Sequence, residues 1–366
     1  MSSDVDSHIH VHSLQGPDSD SAPHDSILQN ALATLRPHLP VSLPLYRRLQ
    51  FGRFFDATTL LTNLALKGSS FDPDKPSEKP WLIAFVDRSC RPETEVWLYC
   101  SWESQHPGVN AGDGRQFDNA GKEESLLRSL LASTKSQRIP ESIHADIIAA
   151  KEGQRNHETN GASSVDSVGL SRDDYAAHML DPQIMLWGSI HQTTTSLLQQ
   201  IGVAGGMKSQ AGATPNLMLT WDVDALSPEK PLPSGLRWGD LRREHFELVR
   251  SRTQIPRQDR TLAVLPNLGI FPSDANEPVA WVFVGLDGSL TTLHVEAEWR
   301  GRGLAKAMTV KLFRERMGLF WEEGLTKWAH GYVIRGNKES EGMCRSLKGR
   351  SDWDVYWVRV DLAAVP

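Results

Sequence analysis

The stretch Leu293-His294-Val295-Glu296-Ala297-Glu298-Trp299-Arg300-Gly301-Arg302-Gly303-Leu304-Ala305 limits what this chain can fold into more than any other. A strand runs into a short loop with two glycines, and the loop opens a helix. That helix is legible because Leu304, Ala307, Met308, Leu312 and Phe313 recur at three and four. The first N–H groups of a helix have no intrahelical acceptor, and the helix dipole adds partial positive charge there. Such a place is an anion site. Gly301 and Gly303 let the backbone curl round a phosphate, Ala305 leaves room beside the first turn, and Arg300 and Arg302 add charge. Two familiar phosphate motifs are excluded. No Gly-Lys-Ser/Thr follows, and the dinucleotide fingerprint fails because Lys306 stands where its third glycine belongs. Taken alone, the two glycines are equally consistent with an ordinary turn flanked by solvated arginines.

Around this loop the pattern is that of a mixed α+β domain. Residues 278–286 and 290–295 read as strands joined by an Asp287-Gly288 turn. Residues 217–221, 326–334 and 353–360 read as further strands, and 236–250 and 338–347 as helices. Nearer the start, Ile27, Leu28, Ala31, Leu32 and Leu35 mark a helix ended by Pro37 and Pro40. A second helix is expected over 58–66, strands over 80–86, 95–100 and 184–187, and a helix over 193–201. Residues 1–25 are polar and read as an unfolded tail, its His8, His10 and His12 solvated rather than bound to metal. Residues 104–176 read as a flexible insertion with short helices at 126–131 and 143–150. Glycines 205, 206 and 212 with Pro215 suggest a linker over 206–216. The expected division is therefore a lobe over 26–205 and a second domain over 217–366, with no internal sequence repeat visible.

Composition narrows the classes. A net charge of -6 lacks the bulk signature of a nucleic-acid binder. Cys90, Cys100 and Cys344 form no CxxC pair, so neither structural zinc nor a disulfide framework is expected, and a reducing, cytoplasmic setting is (with the nucleus as an alternative). No run of about 18 apolar residues suggests a membrane span. The first residues have neither the apolar core of a secretory signal nor the arginines of a mitochondrial presequence.

The pattern Arg300-x-x-Gly303-x-Ala305, set between a strand and a helix, resembles the pyrophosphate loop of the GNAT superfamily of N-acyltransferases. Glu277-Pro278-Val279-Ala280-Trp281-Val282-Phe283, the Asp287-Gly288-Ser289-Leu290 turn and the aromatic ending with Trp328, Trp353 and Trp357 resemble its glycine N-acyltransferase, or FR47-like, branch. The segment from Leu35-Arg36-Pro37 to Leu45-Tyr46 is similar to the start of those proteins, which pair a degenerate GNAT-like half with a catalytic one. Residues 104–176 depart from that pattern. The resemblance implies a GNAT fold, with a splayed central sheet flanked by helices, and acyl-CoA as co-substrate without a metal. It implies that Arg300, Gly301, Arg302, Gly303, Leu304 and Ala305 hold the pyrophosphate, that the pantetheine pairs with the strand of Leu293 and Val295, and that Asn337 lies against it. A primary amine would attack the thioester directly, with a backbone N–H near Val284 facing the oxyanion. A small, amino-acid-like acceptor is favoured. A protein N-acetyltransferase and a non-catalytic acyl-CoA-binding module are the alternatives.

The groups that move protons depart from the family. Cys344 stands where many members have a tyrosine acid, seven residues after Asn337, and buried packing is its plainer reading. Ser289 stands where glycine N-acyltransferases have a glutamate base. Asp287 could substitute, although it is also the natural turn residue of Asp-Gly. His294 has the intrinsic pKa of a base, Glu296 shares its face, and His330 reads as a satisfied histidine. Arg252 and Arg257 fall where GNAT domains hold the acceptor and suit a carboxylate, or are surface residues. If the loop holds the pyrophosphate, Gly303→Trp is expected to abolish acyl-CoA binding in a calorimetric titration while circular dichroism stays unchanged; retained binding would overturn the loop assignment.

Overall fold

The computed structural model describes residues 8–14, 23–55, 57–66, 79–104, 120–141, 178–204, 214–253, 255 and 257–365. The chain divides into two compact units. Unit 1 comprises Met1–Leu45, Gly52–Pro215 and Trp353–Pro366, and unit 2 comprises Tyr46–Phe51 and Asn216–Asp352.

In unit 1 the strands are β1 (His10–Ser13), β2 (Thr58–Thr62), β3 (Leu82–Asp87), β4 (Val96–Cys100), β5 (Ile184–His191) and, from the far end of the chain, β12 (Asp354–Asp361). They pair in the order β1-β2-β3-β4-β5-β12. Every pair is antiparallel except β4 with β5, whose parallel register covers only Val96↔Trp187 and Trp97↔Gly188. The helices are α1 (Pro23–Leu35), α2 (Leu43–Phe51, whose last six residues count with unit 2), α3 (Ala120–Lys135) and α4 (Gln192–Ile201). Apolar faces of α3 and α4 (Leu127, Leu130, Leu131, Leu197, Leu198) pack on Leu82, Ala84, Trp187 and Val360.

In unit 2 the strands are β6 (Asn216–Asp222), β7 (Leu236–Gly239), β8 (Asn267–Pro272), β9 (Ala280–Val284), β10 (Ser289–Val295) and β11 (Trp328–Ile334), paired in the order β7-β8-β9-β10-β11-β6. Again one pair is parallel and brief: β10 with β11, at Ser289↔His330 and Leu290↔Gly331. The helices are α5 (Phe246–Ser251), α6 (Asp259–Leu262), α7 (Leu304–Glu315) and α8 (Lys338–Ser346). Met308, Leu312 and Phe313 of α7 share a core with Leu268, Ile270, Val282 and Val284. A second cluster joins Phe246, Val249 and Leu262 to Trp281 and Phe283. Alternate residues of β9 thus feed two cores, as a strand covered on both faces must.

The two units therefore repeat one plan, four antiparallel strands, a fifth parallel to the fourth, and an antiparallel sixth. In each, the sixth strand is taken out of chain order. The strand that follows unit 1's last helix is β6, which pairs with β11, whereas the C-terminal β12 pairs with β5 from Val355↔His191 to Asp361↔Ile184. Residues 353–366 thus belong with unit 1 rather than with the C-terminal domain, and 46–51 belong with unit 2. Sequence adjacency carries no information about such long-range pairing.

Local expectations were corrected for equally local reasons. The expected unfolded tail contains β1, flanked by buried Ile9 and Leu14, because its alternation matches the edge of β2. Residues 58–62 are a strand, not a helix, and three of them are β-branched threonines. Of the helix expected over 236–250, the first part is β7 and only Phe246–Ser251 is α-helical. β8 was not anticipated. The expected helix over 143–150 and the core of the linker, 206–213, lie outside the described residues. Among the described residues no helix is long and apolar enough to cross a membrane, and no group of three or more His, Cys, Asp or Glu is placed to hold a metal ion.

Glu103, one turn beyond β4, is 3% exposed, and its Oε1 accepts a hydrogen bond from Thr194 Oγ1 at 2.6 Å. Burial pushes its carboxyl up to about 8. A raised folded-state pKa means stability that is complete below the unfolded value, near 4.5, and is lost as the pH rises to about 8. Glu103→Gln is expected to flatten this dependence and to be the more stable protein at pH 8.5, by on the order of 1–3 kcal/mol. Denaturant midpoints at pH 5.5 and 8.5 test it; a parallel loss in both proteins would refute the buried neutral acid.

Candidate active site

β10 and β11 separate after two residue pairs, and the separation has a visible cause. On the β9 side, Thr291 faces Phe283 but His294 faces Trp281, so two residues, Thr292 and Leu293, oppose Val282 alone. This is a β-bulge, with Thr292 at φ 53, and it bends the strand. Beyond Leu290 the β11-facing edge of β10 has no strand partner among the described residues. Leu293 and Val295 lie along this stretch.

The apex of the wedge is polar and buried. Asp287 Oδ1 accepts from Ser289 Oγ at 2.7 Å and from Ser289 N at 3.3 Å, and Oδ2 accepts from the Tyr332 hydroxyl at 2.7 Å. His330 Nε2 lies 3.6 Å from the same oxygen. Burial works to raise the Asp287 carboxyl, but His330, Ser289 and Tyr332 outweigh it and hold it below the usual aspartate range. Asp287 is thus the turn residue and also an ionised anchor. The turn is closed by Gly288 N to Gly285 O at 2.9 Å, with Gly288 at φ 74. A Cβ on Gly288 would lie 2.8 Å from Arg47 Cβ. Buried Arg47 donates to Phe320 O at 2.5 Å and to Trp328 O at 3.1 Å, which fixes it over the turn.

On the other side of the bulge the expected acceptor residues meet. Arg252 Nε donates to Glu296 Oε1 at 2.9 Å, and His294 Nε2 is 3.5 Å from Glu296 Oε2. The His294 ring stacks on buried Trp281 with centroids 4.6 Å apart. Partial burial depresses its pKa below the usual histidine value, against an upward pull from Glu296, so the imidazole is neutral at neutral pH. Arg257 Nη2 donates to Thr291 Oγ1 at 2.8 Å, and its Nε reaches Thr292 Oγ1 at 3.4 Å. His294, Glu296, Arg252 and Arg257 therefore form one cluster about the bulge, and Asp287 belongs to the apex network.

The glycine loop precedes α7 directly. Gly301 and Gly303 have φ 75 and 80, with open space where a Cβ would lie, so it is the backbone angle that asks for glycine. Gly303 caps α7, leaving the N–H groups of Leu304, Ala305 and Lys306 at the helix head without intrahelical acceptors. Arg300 Nε donates to Val295 O at 3.0 Å, which ties the loop to the end of β10. Arg302 lies over the Trp299 ring, 4.7 Å from its centroid. Asn337 caps α8 by accepting from Ser340 N at 3.1 Å. Two expectations change. Val284 N already donates to Pro266 O at 2.8 Å, so this N–H is not available to an oxyanion. Cys344 lies in the core at 2% exposure, and burial pushes its thiol up to about 12, a poor acid for a departing thiolate. Sequence reasoning passed over Tyr332 and Arg47. Tyr332 could have been found, since it shares a strand face with His330; the contact of Arg47 with Gly288 joins residues far apart in the chain.

Residues 13–220, more than half of the chain, match the family described as the acyl-CoA N-acyltransferase verG N-terminal domain, and residues 267–358 match the FR47-like proteins. The chain belongs to the verG-type acyl-CoA N-acyltransferases and is a GNAT-superfamily protein of the FR47-like branch, with two lobes of α+β GNAT fold. A Drosophila protein of known crystal structure is similar over 95% of this chain and 99% of its own, at 15% identity and a TM-score of 0.56, which shows the fold. A tandem GNAT protein from the clavulanic acid biosynthesis pathway (10% identity, 96% and 97% coverage) and a GCN5-related N-acetyltransferase from Sphaerobacter thermophilus (12%, 97% and 96%) both align with a TM-score of 0.39. No curated protein sequence matches the chain. The family transfers an acyl group from acyl-CoA to an amine.

Asp287→Asn is expected to cost about 1–3 kcal/mol at pH 7 by weakening three hydrogen bonds. Stability from a depressed carboxylate is present above its unfolded pKa and lost as pH falls through the folded value. The difference between parent and variant should therefore shrink in denaturation at pH 3; a constant gap would mean that charge is not what Asp287 supplies.

Proposed function

We propose that unit 2 catalyses transfer of an acyl group from acyl-CoA to the primary amine of a small, carboxylate-bearing acceptor. The observation that carries this reading is the wedge itself. An unpaired strand edge, a bulge and an anion-binding helix head follow one another along a single stretch of chain, from Leu290 to Lys306. The helix head with Arg300 and Arg302 suits the pyrophosphate, and the open edge around Leu293 and Val295 suits the pantetheine amides. The bulge frees backbone groups of Thr292 and Leu293 from the ladder, and an N–H there suits the oxyanion of the tetrahedral intermediate.

Arg257, held at the bulge by Thr291, supplies charge for the acceptor's carboxylate, and Arg252 orients Glu296. The neutral amine attacks the thioester carbonyl. Its proton passes to the His294 imidazole, which Trp281 and Glu296 hold in place, and the C–S bond breaks to release the CoA thiolate. The thiolate takes its proton from solvent, since Cys344 is buried in the core.

Purified protein mixed with acetyl-CoA, benzoyl-CoA and longer acyl-CoAs, with pooled amino acids and polyamines, should release thiol only when an amine is present, and amino acids should be preferred. The rate of the parent is expected to fall on acidification with an apparent pKa below 6.5, as His294 gains a proton. His294→Gln should lower kcat by roughly 10²–10⁴ and remove that limb, and Arg257→Ala should raise KM more than it lowers kcat. Tight acyl-CoA binding with no release across the whole panel would overturn this reading.

A further inference from the structure

Unit 1 has its own divergence of a parallel pair, and it is not empty of chemistry. After Val96↔Trp187 and Trp97↔Gly188, strands β4 and β5 part, in the same position as β10 and β11 in unit 2, with Gly188 matching Gly331. A cavity of about 10 Å³ opens there, and Tyr99, Glu103, Ser189, His191, Trp353 and Val355 are among its lining residues. That is the space of one water molecule or one carbonyl oxygen. Ser189 is 5% exposed and His191 2%, and neither Ser189 Oγ nor His191 Nε2 has a hydrogen-bond partner among the described residues. A buried polar group left without a partner is costly, so such groups favour an occupant that can meet them.

The chemistry of the lining is definite. His191 Nδ1 accepts from Thr193 N at 3.2 Å, at the head of α4, so the neutral ring carries its hydrogen on Nε2. Burial pushes His191 down to about 3 and Glu103 up to about 8, so the cavity holds no formal charge near neutrality. Ser189 has φ 54, a backbone angle that a serine holds only at a cost, and it lies next to the divergence just as Thr292 lies next to the other. The described chain after β4 reads Ser101-Trp102-Glu103-Ser104, and the Arg-x-x-Gly-x-Ala pattern of unit 2 does not occur between β4 and α3.

We propose that this cavity is a second small-molecule site, which takes the carbonyl oxygen of a neutral amide or ester between the Ser189 hydroxyl and His191 Nε2–H. Val41, Pro44 and Leu45, which also line the cavity, are the apolar surface the rest of the ligand meets. The site does not depend on the activity of unit 2, and its test does not read that activity.

Full-length protein carrying ¹⁵N-histidine is titrated with N-benzylacetamide, a neutral secondary amide, and the His191 ring signals are followed by NMR. They are assigned by their disappearance in His191→Asn, which keeps an acceptor at the helix cap. A saturable shift of Nε2 is expected. Ser189→Gly should weaken binding at least tenfold while leaving the protein no less stable, because glycine tolerates φ 54. Ser189→Ala, which removes the hydroxyl alone, should weaken binding likewise. A shift that never saturates, or an affinity in both Ser189 variants equal to that of the parent, would leave a buried water as the sole occupant and overturn the proposal.

Discussion

Two parallel strands that pair for only two residues and then part are the constraint on which the rest of unit 2 depends. A parallel pair buried in a sheet normally continues, because each unpaired N–H and C=O otherwise lacks a partner. Here the bulge at Thr292 and Leu293 turns β10 away from β11 and exposes a run of backbone hydrogen-bonding groups. Such an edge is stable only if the apex is firmly held and if something polar can occupy the opening. The Asp287 network with Ser289, Tyr332 and His330 does the first, and Arg47 pins the turn from which Asp287 projects.

The same constraint recurs in unit 1 with different chemistry. There the parting strands meet a neutral acid, a neutral histidine and a serine at positive φ. One backbone plan thus carries different side chains at its two partings, an ionised Asp287 in unit 2 and a neutral His191 and Glu103 in unit 1. Backbone geometry sets where a cleft opens, and the few side chains at its rim set what it accepts.

Much of the glycine-loop end of unit 2 was legible in the sequence. The 3.6-residue periodicity of α7, the two glycines and the flanking arginines each follow from local rules, and both glycines take the positive φ that such a turn requires. The Asp287-Gly288 hairpin and the strands on either side were legible for the same reason. Residues 58–62 and 236–239 were misread because short apolar runs fit a helix or a strand equally well, and only a neighbouring strand decides between them. Cys344 could not be judged as an acid from its spacing, since its pKa is set by burial.

The sequence by itself determined the elements whose forces are local: the glycine loop, its helix, the Asp-Gly turn and the kinds of residue available at the site. Tertiary structure alone decided which strand completes each sheet, sending β12 to β5 and β6 to β11. It also decided that His294, Glu296, Arg252 and Arg257 meet at one bulge while Asp287 faces inward. The physical reason is that local conformation depends on neighbours in the chain, whereas strand partners, burial and pKa depend on groups brought together across tens or hundreds of residues.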